Sequence, residues 1–107
     1  MAEIPPPEGL DKIIHERARL GIMASLAARG TMTFTELKET LGMSDGNLSV
    51  HARILEDAGY IEVKKEFVGR KPRTSMRLTS RGEAAFRAYV DYLERIVAPQ
   101  RTKRRRK

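Results

Sequence analysis

Residues 33 to 77 read TFTELKETLGMSDGNLSVHARILEDAGYIEVKKEFVGRKPRTSMR, and most of the architecture follows from them. Thr33 suits a helix N-cap, and an acidic residue three positions later completes a capping box. The short helix that begins there is expected to end at Gly42, in a tight turn. Ser44 can cap a second helix that runs to Ala58. Two helices joined in this way predict a helix-turn-helix unit.

The second helix has two different faces, because successive helical residues turn by about 100°. The face that carries Leu48, His51 and Leu55 is expected to pack against the rest of the domain. The opposite face is small or hydrogen-bonding near the start of the helix, which suits the reading of base edges in the major groove of DNA. We assign to DNA contact, on or beside this face, the residues Ser44, Gly46, Asn47, Ser49, Val50 and Arg53.

A β-hairpin is expected after Gly59, because the apolar period changes there from helical to two. Its tip, residues 68 to 73, contains Gly69 and Pro72 and is expected to be too strained for regular pairing. Three cations in this tip are candidates for phosphate contact, and we call the hairpin the wing. They are Arg70, Lys71 and Arg73.

The positive charge is unevenly distributed along the chain. Of the net charge of +7, six charges lie in the last seven residues, which leaves +1 for residues 1 to 100. Residues 64 to 77 hold six cations against one carboxylate, a local excess of +5. A cationic hairpin beside a helix-turn-helix is a stronger indication of a polyanion partner than the overall charge.

Helical apolar patterns flank the central stretch on both sides. The first runs from Leu10 to about Arg29, and the polar residues around His15 allow a break there. The last begins at Thr79 or Ser80 and is expected to end at Pro99. Its apolar stripe is wider than a small body can cover, which predicts the two-fold interface of a homodimer. The residues assigned to this interface are Leu10, Ile13, Ile14, Phe86, Tyr89, Val90, Leu93, Ile96 and Val97.

The composition argues against enzymes and metal sites. Without cysteine there is no disulfide or thiolate ligand, and no Gly-rich phosphate loop or nucleophile with a base is recognisable. His51 could sense protons or bind a metal, but its place on the packed face favours a hydrogen-bonded structural role. His15 and Glu16 are read as a solvated pair, since adjacent helical residues do not share a face. We therefore predict no catalytic residue, no metal and no cofactor.

Four strings together resemble the small transcriptional regulators of the MarR/ArsR type. They are Phe34-Thr35-Glu36-Leu37, Asp45-Gly46-Asn47-Leu48-Ser49-Val50-His51, Leu55-Glu56-Asp57-Ala58-Gly59-Tyr60 and Leu78-Thr79-Ser80-Arg81-Gly82. The resemblance covers roughly residues 10 to 97. It implies a winged helix-turn-helix, mainly α with a small two-stranded β wing (α+β), with a long C-terminal dimerisation helix. It also implies a homodimer on a two-fold DNA site. Where relatives commonly carry a basic residue this chain has Val50, so their base preference does not transfer.

The expected organisation is an extended N-terminal arm over residues 1–9, the DNA-binding and dimerisation domain over 10–98, and a basic disordered tail over 99–107. The expected function is a cytoplasmic DNA-binding regulator that represses by blocking a promoter, with any small-molecule effector unknown. One alternative is a sequence-indifferent protein that coats DNA, and another is a winged helix used for protein contact. The tail could touch DNA, target the protein or solubilise it; its cations are Arg101, Lys103, Arg104, Arg105, Arg106 and Lys107.

Overall fold

The computed structural model describes residues 10–105, with the side chains of residues 10–98. Four helices and a three-stranded antiparallel sheet follow one another along this part of the chain. The elements are α1 (Arg17–Arg29), β1 (Met32–Thr33), α2 (Phe34–Leu41), α3 (Asp45–Asp57), β2 (Ile61–Val68), β3 (Lys71–Leu78) and α4 (Ser80–Arg105). The mainly helical winged fold expected from the sequence is confirmed, and the short strand β1 adds a third member to the sheet.

The helix-turn-helix is made by α2 and α3, and its caps are those that the sequence predicts. The Thr33 hydroxyl accepts the backbone N–H of Glu36, while the Glu36 carboxylate accepts that of Thr33. Gly42 ends α2 at a φ of 63°, a left-handed conformation that glycine adopts without a steric penalty. The Ser44 hydroxyl then accepts the N–H of Asn47 and starts α3.

The first helix is shorter than its apolar pattern suggests. It begins at Arg17, and the residues before it form turns. The carboxylate of Asp11 accepts the backbone N–H groups of Ile13 and Ile14, at 2.8 and 3.1 Å. Such local side-chain bonds offer the backbone an alternative to helix, so the chain breaks near His15, as its polar residues allowed.

The wing is paired almost to its end, and the expectation of an unpaired tip over residues 68 to 73 was wrong. Val68 pairs with Lys71, which leaves only Gly69 and Arg70 in the turn. Gly69 has a φ of 66°, as the first position of a two-residue hairpin turn of type II′ requires. Pro72 falls in a non-hydrogen-bonded pair, so its missing N–H would have pointed away from β2, where β1 does not reach.

One hydrophobic core joins all the helices to the base of the wing. Its members are Ile14, Ile22, Met23, Leu26, Met32, Leu37, Leu48, Ala52, Leu55, Ile61, Met76, Leu78 and Tyr89. Ile14 and Tyr89 are 0 % and 2 % exposed within the single chain. Their assignment to a dimer interface is therefore corrected, because the chain's own core already covers them.

The last helix is held against the start of the wing. Thr79 donates its hydroxyl to the carbonyl of Gly59 and accepts the N–H of Gly82. A Cβ on Gly82 would lie 1.9 Å from the carbonyl oxygen of Tyr60, so only glycine allows this approach. The predicted end of the helix at Pro99 is wrong, and with it the disorder expected for the tail as far as Arg105. The backbone of α4 stays helical to that residue, through a run rich in good helix formers. No helix in the described part of the chain is long and apolar enough to cross a membrane.

Candidate nucleic-acid interface

The outer face of α3 is open to solvent along its first three turns. All six residues assigned to DNA contact are exposed, and Val50 retains 57 % of its accessible surface. Leu48, Ala52 and Leu55, on the opposite face, are buried. The division of this helix into a packed side and a free side therefore matches the sequence pattern.

Contacts with α1 and α2 fix the orientation of α3. Its first turn is capped by Ser44 and tied to α2 by an ion pair of 2.9 Å between Lys38 and Asp45. On its packed side, Nη1 of Arg19 lies 3.0 Å from Nδ1 of His51, with the carboxylate of Glu16 at 3.7 Å. The half-buried, hydrogen-bonded histidine expected at position 51 is thus present.

An open groove separates α3 from the wing. Ser49 and Arg53 line it from the helix, and Lys65 and Thr74 line it from β2 and β3. Glu56 and Asp57 lie at the end of α3, so a polyanion in this groove would be attracted towards the first turns of the helix and repelled from the last.

The wing cations differ in how far acidic neighbours neutralise them. The guanidinium of Arg77 makes a close pair with Glu62, and Lys64 lies 3.7 Å from Glu66. The other four cations of the wing are exposed and have no ion pair within 4.0 Å among the described residues. They are Lys65, Arg70, Lys71 and Arg73.

Lys65 is a candidate site residue that the sequence assignment did not include, because it lines the groove beside α3. In β2 the side chains alternate between the two faces of the sheet, so Lys65 shares a face with Val63, which packs near α3. The same period-two pattern that predicted the strand could have placed this lysine on the helix side of the wing.

The other predicted site residues are divided between the surface and the core. Val90, Ile96 and Val97 are exposed on α4, at 43, 38 and 41 %. Leu10, Ile13, Phe86 and Leu93 are half-buried against the core. The structure does not describe the side chains of Arg101, Lys103, Arg104 and Arg105. Two further tail cations lie outside the described residues altogether, Arg106 and Lys107.

The two candidate metal ligands near the chain start have other partners. Nδ1 of His15 lies 2.7 Å from the hydroxyl of Tyr89, so His15 is not simply solvated. Glu16 caps α1 by accepting the backbone N–H of Arg19, and this bond is the main reason that its pKa lies below the ordinary value. Residues 10–98 contain no group of three His, Cys, Asp or Glu side chains placed to hold a metal ion.

Comparisons with known proteins agree with this geometry. A family model described as a winged helix DNA-binding domain matches residues 18–97. An uncharacterized protein of Methanocaldococcus jannaschii is 35 % identical over 79 residues, which cover 74 % of this chain and 86 % of that protein.

Two solved structures are similar over most of their length. A transcriptional regulator homologue from Pyrococcus horikoshii superposes with a TM-score of 0.76 at 28 % identity, over 82 % of this chain and 87 % of that one. A protein assigned to the MarR family of transcriptional regulators, from Enterococcus faecalis, gives a TM-score of 0.76 at 26 % identity, over 87 and 84 %. The chain thus belongs to the winged helix DNA-binding domain family, and its structural neighbours are regulators of the MarR type.

Proposed function

We propose that this protein is a dimeric transcriptional regulator that represses by occupying a two-fold DNA site in a promoter. The observation that carries the proposal is the shared opening of two surfaces. Lys71 and Arg73 lie on the other face of the wing, whereas Ser49 and Arg53 of α3 and the unpaired Lys65 of the wing border one groove. A duplex placed there can meet both at once.

The two surfaces would do different work. Phosphate contacts from Lys65, Arg70, Lys71 and Arg73 fix the register of the protein on the duplex without reading sequence. Base discrimination then comes from α3, whose Asn47, Ser49 and Arg53 can hydrogen-bond to base edges in the major groove. Val50 offers an apolar contact to a thymine methyl group instead.

The dimer is proposed from an apolar stripe of α4 that the single chain leaves exposed or only half-buried. Phe86, Val90, Leu93 and Val97 follow one another at helical spacing along α4, with Ile96 beside them. A second copy that buries this stripe would present its α3 to the next half-site, about 34 to 36 Å away along the duplex.

The test begins by selecting bound duplexes from a random-sequence library with the full chain. A selected duplex then competes with random DNA at physiological salt. Arg53→Ala should weaken binding to the selected duplex by about ten- to a hundredfold, because one base contact is worth about 1 to 3 kcal/mol. Arg87→Ala, which removes an exposed arginine from α4, is the matched control and should leave binding unchanged.

Two results would contradict the proposal in different ways. Equal affinity for selected and random duplexes would favour a protein that coats DNA without regard to sequence. Unchanged DNA affinity after reversal of charge at both Arg53 and Arg73 would favour a wing that meets an acidic protein.

A further inference from the structure

An apolar residue near the tip of the wing, Phe67, takes no part in the hydrophobic core. Phe67 is 72 % exposed, the highest value among the large apolar side chains of residues 10–98. It does not belong to the core or to the half-buried side chains packed against the core. An exposed aromatic ring on a hairpin with an excess of cations suits a partner that offers both anionic groups and apolar surface.

Strand register gives the direction in which this ring faces. Residues that pair directly across an antiparallel ladder share a face, and every second residue of a strand shares it too. Phe67 is therefore on the face of Val63 and Lys65, and Pro72 lies opposite it on β3. Since Val63 and Lys65 line the groove beside α3, Phe67 extends the same face outward from that groove.

The distance along the wing fits the geometry of a duplex. Phe67 is four residues beyond Val63, or about 13 Å at strand spacing. The centres of adjacent major and minor grooves are half a helical repeat apart, about 17 Å. With α3 in a major groove, the tip of the wing therefore comes to the neighbouring minor groove. The length of the Phe67 side chain covers part of the difference between the two spacings.

The tip is also stiff and carries unpaired cations, of which Lys71 and Arg73 lie on the face opposite Phe67. A two-residue turn closes it, and regular pairing continues up to Val68 and Lys71. Arg70, Lys71 and Arg73 have no ion pair within 4.0 Å in the described structure. Phosphates on the two walls of a minor groove satisfy these cations, while the floor between them offers base edges and stacked base faces.

We propose that Phe67 is an apolar wedge that enters the minor groove beside the half-site and partly unstacks one base step there. Apolar side chains that insert in this way kink the duplex, at a cost that is lowest for flexible pyrimidine–purine steps. Phe67 thereby adds sequence preference outside the major-groove site. This inference rests on the proposed function, because it needs α3 and the wing to engage one duplex.

The test uses the full chain and a duplex selected from the random library. The base analogue 2-aminopurine is placed at single positions across the wing-side flank, where its fluorescence rises on unstacking. Bending is measured by energy transfer between dyes on the two duplex ends. With the native chain, one step should brighten and the duplex should bend.

The variants separate the ring from the rest of the tip. Phe67→Ala should abolish both signals and weaken binding by about ten- to a hundredfold, as expected for an aromatic side chain that is no longer buried against the bases. Phe67→Leu should keep a large part of both, since leucine also serves as a wedge. Val68→Ala is the matched control: Val68 is 52 % exposed at the same tip but faces the other side, so both signals should persist.

Different results would contradict the proposed function and the role of Phe67. If the native chain retains no duplex from the library, the proposed function is overturned, and this inference with it. If duplexes are retained but Phe67→Ala keeps the fluorescence and the bend, the inference alone is overturned. An equal loss in Val68→Ala would also overturn it, because the effect would then belong to the tip as a whole. Thermal unfolding of both alanine variants should match the native chain, since both side chains are exposed.

Discussion

The guanidinium of Arg19 lies 3.0 Å from Nδ1 of His51, and this contact joins α1 to the packed side of α3. Because an arginine can only donate, Nδ1 of His51 is the acceptor in this contact. Nε of Arg19 also donates to the carbonyl of Ile13, at 2.6 Å. One side chain thus links the start of the chain, the first helix and the helix assigned to DNA reading.

Removal of the guanidinium donors of Arg19 should destabilise the fold without altering any residue of the proposed DNA interface. Arg19→Met keeps the aliphatic stem but removes both hydrogen bonds, and we expect the free energy of unfolding to fall by about 2 kcal/mol. Urea unfolding measures this value. Arg17→Met, which alters an exposed arginine of the same helix, should change it little. Equal effects in the two variants would mean that the linkage through Arg19 contributes nothing specific.

Alkaline pH should weaken the contact between the chain start and the base of the wing. The Tyr60 hydroxyl donates to the carboxylate of Asp11, and burial, more than this bond, raises the pKa of Tyr60 to about 12. A raised pKa in the folded state means that the neutral phenol stabilises the fold below pH 10. This stabilisation is lost as the pH rises from 10 to about 12.

Tyr60→Phe measures this contribution directly. At neutral pH the variant should be less stable by about 2 kcal/mol, as for a hydrogen bond to a charged group. Because the native chain alone loses the contribution, the difference between the two proteins should shrink as the pH approaches 12. A difference that stays constant across this range would show that Tyr60 ionises as freely in the folded chain as in the unfolded one.

The apolar stripe of α4 predicts how the proposed dimer fails. Val97→Glu places a charge in the stripe. We expect the dissociation constant of the dimer to rise at least about tenfold relative to the native chain. Sedimentation reports the molecular mass at each concentration. Ala88→Glu, on the same helix but away from the stripe, should leave the mass unchanged. A native chain that is monomeric at every concentration would rule out the proposed dimer.

The basic end of the chain should contribute to affinity through phosphates alone. Deletion of residues 101–107 is expected to lower the slope of log affinity against log salt by roughly 0.9 for each phosphate that the tail no longer neutralises. Replacement of its six cations by glutamine keeps the length of the chain and should have the same effect. An unchanged slope in both variants would show that the tail does not touch the duplex backbone.

Local chemistry made much of this fold predictable. The capping box at Thr33, the cap at Ser44 and the left-handed turn at Gly42 each depend on residues close in sequence, and all three are present. The packed and free faces of α3 follow from helical period in the same way. These features position α3, which explains why the residues on its exposed face could be named beforehand.

The rest depends on contacts between distant residues, which periodicity does not specify. Asp11 binds the turn that carries Ile14 into the core, so an apolar residue expected at a dimer interface is covered by its own chain. Pro72 is tolerated within β3 because the position of its missing N–H faces an edge that β1 does not reach, which only the register of β1 reveals. Strand β1 is two residues long, too short for any alternating pattern.

Site-directed DNA cleavage can establish whether α3 and the wing meet the same duplex. Because the chain has no cysteine, Ser49→Cys and Arg70→Cys each create one unique attachment point for a reagent that cleaves nearby DNA. On a selected duplex, the first should cut in a major groove and the second in the adjacent minor groove, about half a helical repeat away. Ala28→Cys, on the exposed side of α1, serves as the control. Cleavage from only one of the two positions, or with no fixed spacing between them, would show that the helix and the wing do not form a single DNA-binding surface.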